Sequence, residues 1–237
     1  MKKFELTSEF ITNIFGTKLF RIKALIEFGN VKAGELGGFV EKEENLNHEG
    51  NAWVYGNAEV YGNARVYGNA SVCDDARVYG NARVCGNAWV YGNARVCDDA
   101  RVYGNARVCG DARVCGDARV YGNARVCDDA RVYGNARVCD DARVYGNASV
   151  YGNARVCGDA RVYGNADYAT VHGFGSEYRT TTFFKTKAGE IGVRCGCFYG
   201  NLSEFRKKVV ETHGETKKAK EYLMLADLME FRFSDNS

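Results

Sequence analysis

Chemistry in this chain has to come from a short set of residue types: three histidines, ten cysteines and a dense population of arginines. His48, His172 and His213 lie far apart in sequence. Only His172, just past the repetitive part, could serve as a general base if the protein is an enzyme. Cys195-Gly196-Cys197 with His213 supplies three metal ligands where a structural zinc site needs four, so packed thiols in a strand are the expectation there. Around residues 179–194, Arg179, Thr180, Thr181, Thr182, Lys185, Lys187 and Arg194 combine cations with hydroxyls. That is the chemistry of phosphate or nucleotide recognition, and Arg179, Thr181, Lys185 and Arg194 are the candidate ligand-binding residues. A solvated hairpin face is the plainer reading of the same residues.

The framework that must position them has a period of six. From Val54 to Val162 a valine falls at every sixth position without a slip, nineteen in all, in units such as Ala-Arg-Val-Tyr-Gly-Asn and Ala-Arg-Val-Cys-Asp-Asp. A fixed short period means a solenoid. Six matches neither a helix nor a long strand, but it suits a two- or three-residue strand followed by a corner. Ala and Val, two apart, face one way, while Arg and the Tyr or Cys after Val face the other. Gly-Asn, Gly-Asp and Asp-Asp tolerate the positive φ of a corner. Pro is absent from all 237 residues, as a continuous backbone ladder requires.

This pattern resembles the hexapeptide-repeat proteins. The resemblance implies a mainly β protein, a left-handed parallel β-helix of triangular section with eighteen residues per coil. About six coils, near 30 Å at ~4.8 Å per coil, would run over residues 46–172. Residues 1–45 read as an N-terminal β cap, with strands from Phe4 to Ile14 and Leu19 to Phe28. Leu46 and His48 fall in the register of the interior pair before Val54, which makes His48 a residue of the first coil. Residues 173–237 read as a β-hairpin plus two helices, with Asn201 and Glu204 as a capping box and His213-Gly214 as a stop.

Stacking at eighteen residues sorts the arginines into three columns. The first face carries Arg107, Arg125, Arg143 and Arg161; the second, Arg77, Arg95, Arg113 and Arg131. The third carries Arg65, Arg83, Arg101, Arg119, Arg137 and Arg155. Residues 52–167 hold 14 Arg against 12 Asp and one Glu, so corner aspartates are expected to neutralise the columns and keep the rod soluble. The same spacing pairs Cys97 with Cys115, Cys109 with Cys127 and Cys139 with Cys157. Without a secretion signal, reduced thiols are expected, and the oxidation state stays open. Stacked cysteines on a flat face do not readily give four tetrahedral ligands, so no metal or cofactor is expected.

The net charge of +2 lacks the basic excess of a nucleic-acid binder, and no apolar run reaches the ~18 residues of a membrane span. Tyr- and Arg-rich faces are interface material, and a homo-oligomer, dimer or trimer, is expected. The order of segments, with Arg179–Phe184, Cys195–Gly200 and Glu211–Gly214 after the repeats, resembles small proteins encoded by phages and prophages of Gram-positive bacteria. That resemblance implies a cytoplasmic accessory protein acting against a host system. The leading expectation is a non-catalytic binding or display protein for a protein or small anionic ligand. The alternatives are an acyltransferase, for which the coils lack the family's inserted loop, and a structural or virion component.

Overall fold

The computed structural model describes residues 2–174 and 179–234. Three strands open the chain: β1 (Phe4–Thr12), β2 (Lys18–Ala24) and β3 (Leu36–Val40). Nineteen two-residue strands follow, β4 (Trp53–Val54) through β22 (Arg161–Val162), one per hexapeptide. Each pairs in parallel with its copy eighteen residues away; Arg95 lies between Arg77 and Arg113, and Val96 between Val78 and Val114. The alternation inferred from the period of six holds throughout. From Ala52 to Val162 the alanine and valine of every unit are at most 1 % exposed. Each buried valine contributes about 1.5–3 kcal/mol, opposed by the entropy of ordering its unit.

The three columns form three sheets, and the protein is a parallel β-solenoid of about seven turns. The first face has seven strands. On the second, six coil strands continue into β3, β2 and β1 to make nine. The third face has six strands, β6 to β21. The extra turn comes from the cap: β3 lies parallel on Glu59–Val60, and Leu46 bridges to Val66. Pairs in this turn are twenty residues apart, because Leu46 and Val54 are separated by eight positions instead of six. The register read straight through the sequence is therefore corrected. Leu46, 1 % exposed, fills the valine slot, and His48 leaves the stack to lie on the Phe4 ring at 4.4 Å. β3 closes over the first coil because Gly37 and Gly38 have no side chain. A Cβ on Gly37 would lie 2.6 Å from Val54 O, and one on Gly38 2.6 Å from Ala58 O.

At the other end the repeat stops where Asp167 Oδ2 accepts the N–H groups of Tyr163 and Gly164 at 2.9 and 3.0 Å. That turn sends the chain into an antiparallel sheet of β23 (Tyr168–Phe174), β24 (Arg179–Lys185), β25 (Ile191–Cys195) and β26 (Phe198–Asn201). The expected hairpin is thus the middle of a four-stranded sheet, and the solenoid yields to it at Tyr168 instead of residue 173. Helices α1 (Leu202–His213) and α2 (Lys217–Phe233) cover one side, packing Phe205, Val209, Tyr222 and Met229 on Phe183 and Val193. The capping box forms as read: Glu204 N–H donates to Asn201 Oδ1 and Asn201 N–H to Glu204 Oε2, each at 2.9 Å. On the other side, Tyr168 and Phe184 join the valine–alanine core and plug the open coil. No helix among the described residues is long and apolar enough to cross a membrane.

Candidate functional site

The three faces share one repeat but differ at their ends. On the second, the column starts at Glu59 and finishes at Ser149, and Arg77 Nε sits 3.5 Å from Glu59 Oε1. On the third, Arg65, Arg83, Arg101, Arg119, Arg137 and Arg155 stack without interruption. Among the described residues, none of these six has a carboxylate within 4.0 Å. Like charges in neighbouring strands repel, so the column has a cost that only solvent or a bound anion relieves.

Four of the corner aspartates turn to the backbone instead of to the arginines, while Asp99 stays beside Arg83 and Arg101. Asp74, Asp98, Asp128 and Asp140 adopt positive φ, between 57° and 61°. Their Oδ2 atoms accept the N–H of Gly92, Gly116, Gly146 and Gly158 in the next coil at 2.9–3.2 Å. The left-handed corner turns each carboxylate along the solenoid axis, onto a backbone donor that lacks a strand partner. A second set ends side-chain ladders. Asn69, Asn87, Asn105 and Asn123 each donate to the next coil at 3.0–3.1 Å, until Asp141, which can only accept, closes the run.

Because the third sheet is one strand shorter than the first, its N-terminal end is a notch, where a 3-10 turn (Glu43–Asn45) and loop replace a strand. A cavity of about 570 Å³ fills it, with Arg65, Arg83 and Tyr67 facing Glu43, Glu44 and His48. The Lys2 ammonium, 2.6 Å away, holds the Glu43 carboxyl below its ordinary value, with His48 adding to the effect. His48 Nδ1 accepts the Lys3 N–H at 3.1 Å, so Nε2 carries the hydrogen and faces Glu43 Oε2 at 3.6 Å. In that tautomer the imidazole has no free lone pair for base catalysis. A smaller cavity of about 230 Å³ continues along the column between Arg83, Arg101 and Arg119, beside the stacked rings of Tyr103 and Tyr121, 5.0 Å apart.

At the C-terminal end, Arg155 N–H donates to Thr182 Oγ1 at 3.0 Å and its guanidinium to Gly196 O at 3.3 Å. Burial lowers the Arg155 pKa, and the nearby Arg137, Arg194 and Arg179 lower it further. The column therefore runs onto the C-terminal sheet.

The four residues proposed from sequence do not gather into one site. Thr181 is buried and donates to Cys195 Sγ at 3.2 Å, on the side of the sheet that meets the helices. Lys185 reaches Asp167 at 3.4 Å. Arg194 lies opposite Thr182, bonds Cys197 O at 3.5 Å and keeps a buried Nε without a partner. Arg179 lines a separate 280 Å³ pocket with Lys208, His213 and Tyr222. Of the four, Arg194 lies on the side of Thr182 and Arg155 and continues the arginine face. His172 is exposed on the edge strand β23, with Nδ1 3.2 Å from Thr180 Oγ1. From the sequence, the arginines of all three faces read alike as a solvated, self-neutralised surface. The signal that singles out those of the third face is the length of their unbroken column.

The cysteine expectation also changes. All three stacked pairs, Cys97–Cys115, Cys109–Cys127 and Cys139–Cys157, are disulfides rather than free thiols, with Cα atoms 4.5–4.7 Å apart. Parallel in-register stacking brings them inside disulfide range.

The family model described as YdcK Beta solenoid repeat matches residues 58–74, 76–92, 94–110, 100–116, 112–128, 124–140, 136–152 and 154–166. Every matched segment lies in the coils, and together they make up just under half of the chain. The chain is similar to that repeat and has its β-solenoid character there. A search of curated proteins finds no match.

Proposed function

We propose that this is a non-catalytic binding protein whose third face holds a phosphorylated ligand bearing several anionic groups in series. The observation that carries the reading is the column of six stacked arginines with no carboxylate within 4.0 Å among the described residues, continued at its end by Arg194. Arginine grips phosphate through paired N–H donors, and charge-assisted bonds are roughly twice as strong as neutral ones. At ~4.8 Å per coil the guanidinium groups form a rail along which a short polyphosphate or nucleotide polyphosphate meets more than one of them. The tyrosine rails give a base or other flat group a surface to stack on.

A non-catalytic role fits the histidines: His48 has both ring nitrogens engaged, and His172 sits on an exposed edge strand. Isothermal titration with inorganic tripolyphosphate and a panel of nucleoside di- and triphosphates, at low and moderate salt, tests the proposal. We expect saturable heat that weakens as salt is raised. No heat with any member removes it.

A further inference from the structure

Independently of the arginine face, the cysteines fall into two kinds. Cys97, Asp98 and Cys115 bring their ligand atoms within 4.8 Å of one another, and so do Cys139, Asp140 and Cys157. Asp98 Oδ2 lies 3.7 Å from Cys97 Sγ, and Asp140 Oδ2 lies 3.5 Å from Cys139 Sγ. The third pair, Cys109–Cys127, forms no such group among the described residues. The reason is positional. In the first two, aspartate follows the lower cysteine and reaches up to Gly116 or Gly158, the residue after the partner cysteine. That places its carboxylate beside both sulfurs. In the third, aspartate follows the upper cysteine, and Asp128 reaches on to Gly146, away from Cys109.

We propose that the reduced protein binds two thiophilic divalent cations of the zinc and cadmium class, one at Cys97–Asp98–Cys115 and one at Cys139–Asp140–Cys157. The aspartates are the ligands that a flat cysteine stack lacks. A small dithiol reductant supplies two electrons and two protons to each disulfide and is itself oxidised to its cyclic disulfide. The cation then displaces the two thiol protons into solvent. Two thiolates and a carboxylate give three ligands, and water takes the fourth position. A carboxylate beside bare thiols opposes their ionisation, so the cation is what stabilises the three anions together. The sulfurs are largely shielded while both aspartates are exposed, which leaves an entry path from the corner.

Full-length protein, reduced with dithiothreitol and freed of it without air, is titrated with cadmium while thiolate-to-metal charge-transfer absorption is followed. Bound metal is counted by native mass measurement. Two ions per chain are expected, and none on the oxidised protein. Asp98→Asn and Asp140→Asn should each weaken one ion at least tenfold. Asparagine tolerates positive φ and still accepts from the glycine N–H, so the fold is kept, which a thermal melt checks. Zero ions on reduced protein, three equal ions, or aspartate variants that bind like the parent would each overturn the proposal.

Discussion

The second and third faces of the solenoid are built from one repeat and carry different electrostatics. Both stack arginine on arginine at the same spacing. The second begins at Glu59, which pairs with Arg77, and ends at Ser149; the third begins at an open notch and ends against Arg194. In a repeat protein, then, surface character is set where the repeat starts and stops. The repeat itself supplies a neutral interior common to all faces.

Four experiments probe that contrast, and the largest effect belongs to the shared interior. Val102 is fully buried beneath the third face. Val102→Asp should cost about 3–5 kcal/mol by leaving a buried charge unpaired, and should disrupt both faces alike. Urea unfolding measures it. A loss under 1 kcal/mol would mean the interior is not a common support.

The corners come next. Gly122 and Gly152 both have positive φ, 72° and 65°. A Cβ on Gly122 would meet Asp140 N at 2.8 Å, whereas one on Gly152 meets nothing within 4 Å. The backbone strain of Gly→Ala cancels between them, so Gly122→Ala should be worse by about 1–3 kcal/mol. Equal melting shifts would contradict the requirement that each corner aspartate lie against glycine.

A smaller effect is expected at the junction. Arg194→Met removes a buried donor without a partner and relieves the crowding at Arg155. Stability should rise by about 1 kcal/mol while phosphate affinity falls several-fold. A gain in both would place Arg194 outside the ligand site.

The smallest is pH dependence. Burial pushes Tyr61 and Tyr168 up to about 12. Between their ordinary value of 10 and 12 the unfolded chain releases these protons while the folded chain keeps them. Their contribution is therefore whole below pH 10 and lost as pH rises to 12. Lys3 runs the other way. Burial lowers it to about 8, so deprotonation favours the fold as pH climbs from 8 toward 10.5. Cys73, pushed up by burial to about 11, loses its contribution from pH 9, so the net expectation for chemical denaturation is a slight rise from pH 8 to 9, a plateau to 10 and a fall beyond. Tyr61→Phe, on the second face, should soften that fall without touching phosphate binding.

Much of this was legible in the sequence. A valine every sixth residue fixes which atoms are inside, and eighteen-residue stacking sorted all fourteen coil arginines onto their observed faces. The notch is legible too, since eight residues separate Leu46 from Val54, but an unbroken register puts His48 in a slot that the chain skips. Two features lay beyond pattern. Composition balances aspartate against arginine, yet a left-handed corner sends the carboxylate to a glycine N–H, a matter of φ and not of proximity in sequence. Of the four candidate residues at 179–194, Arg179, Thr181 and Lys185 share one side of β24 and are spread along it, while Arg194, opposite Thr182, lies on the other side, so strand length and pleat together divide residues that composition had grouped.

The most direct test compares the two faces with one ligand. Tripolyphosphate is titrated by calorimetry against the parent chain, Arg101→Glu/Arg119→Glu on the third face, and Arg95→Glu/Arg113→Glu on the second. The third-face pair should lose about a hundredfold or more in affinity, roughly 2.7 kcal/mol, and the second-face pair should stay within about threefold of the parent. Equal losses on both faces, or a third-face pair that binds like the parent, would contradict the account.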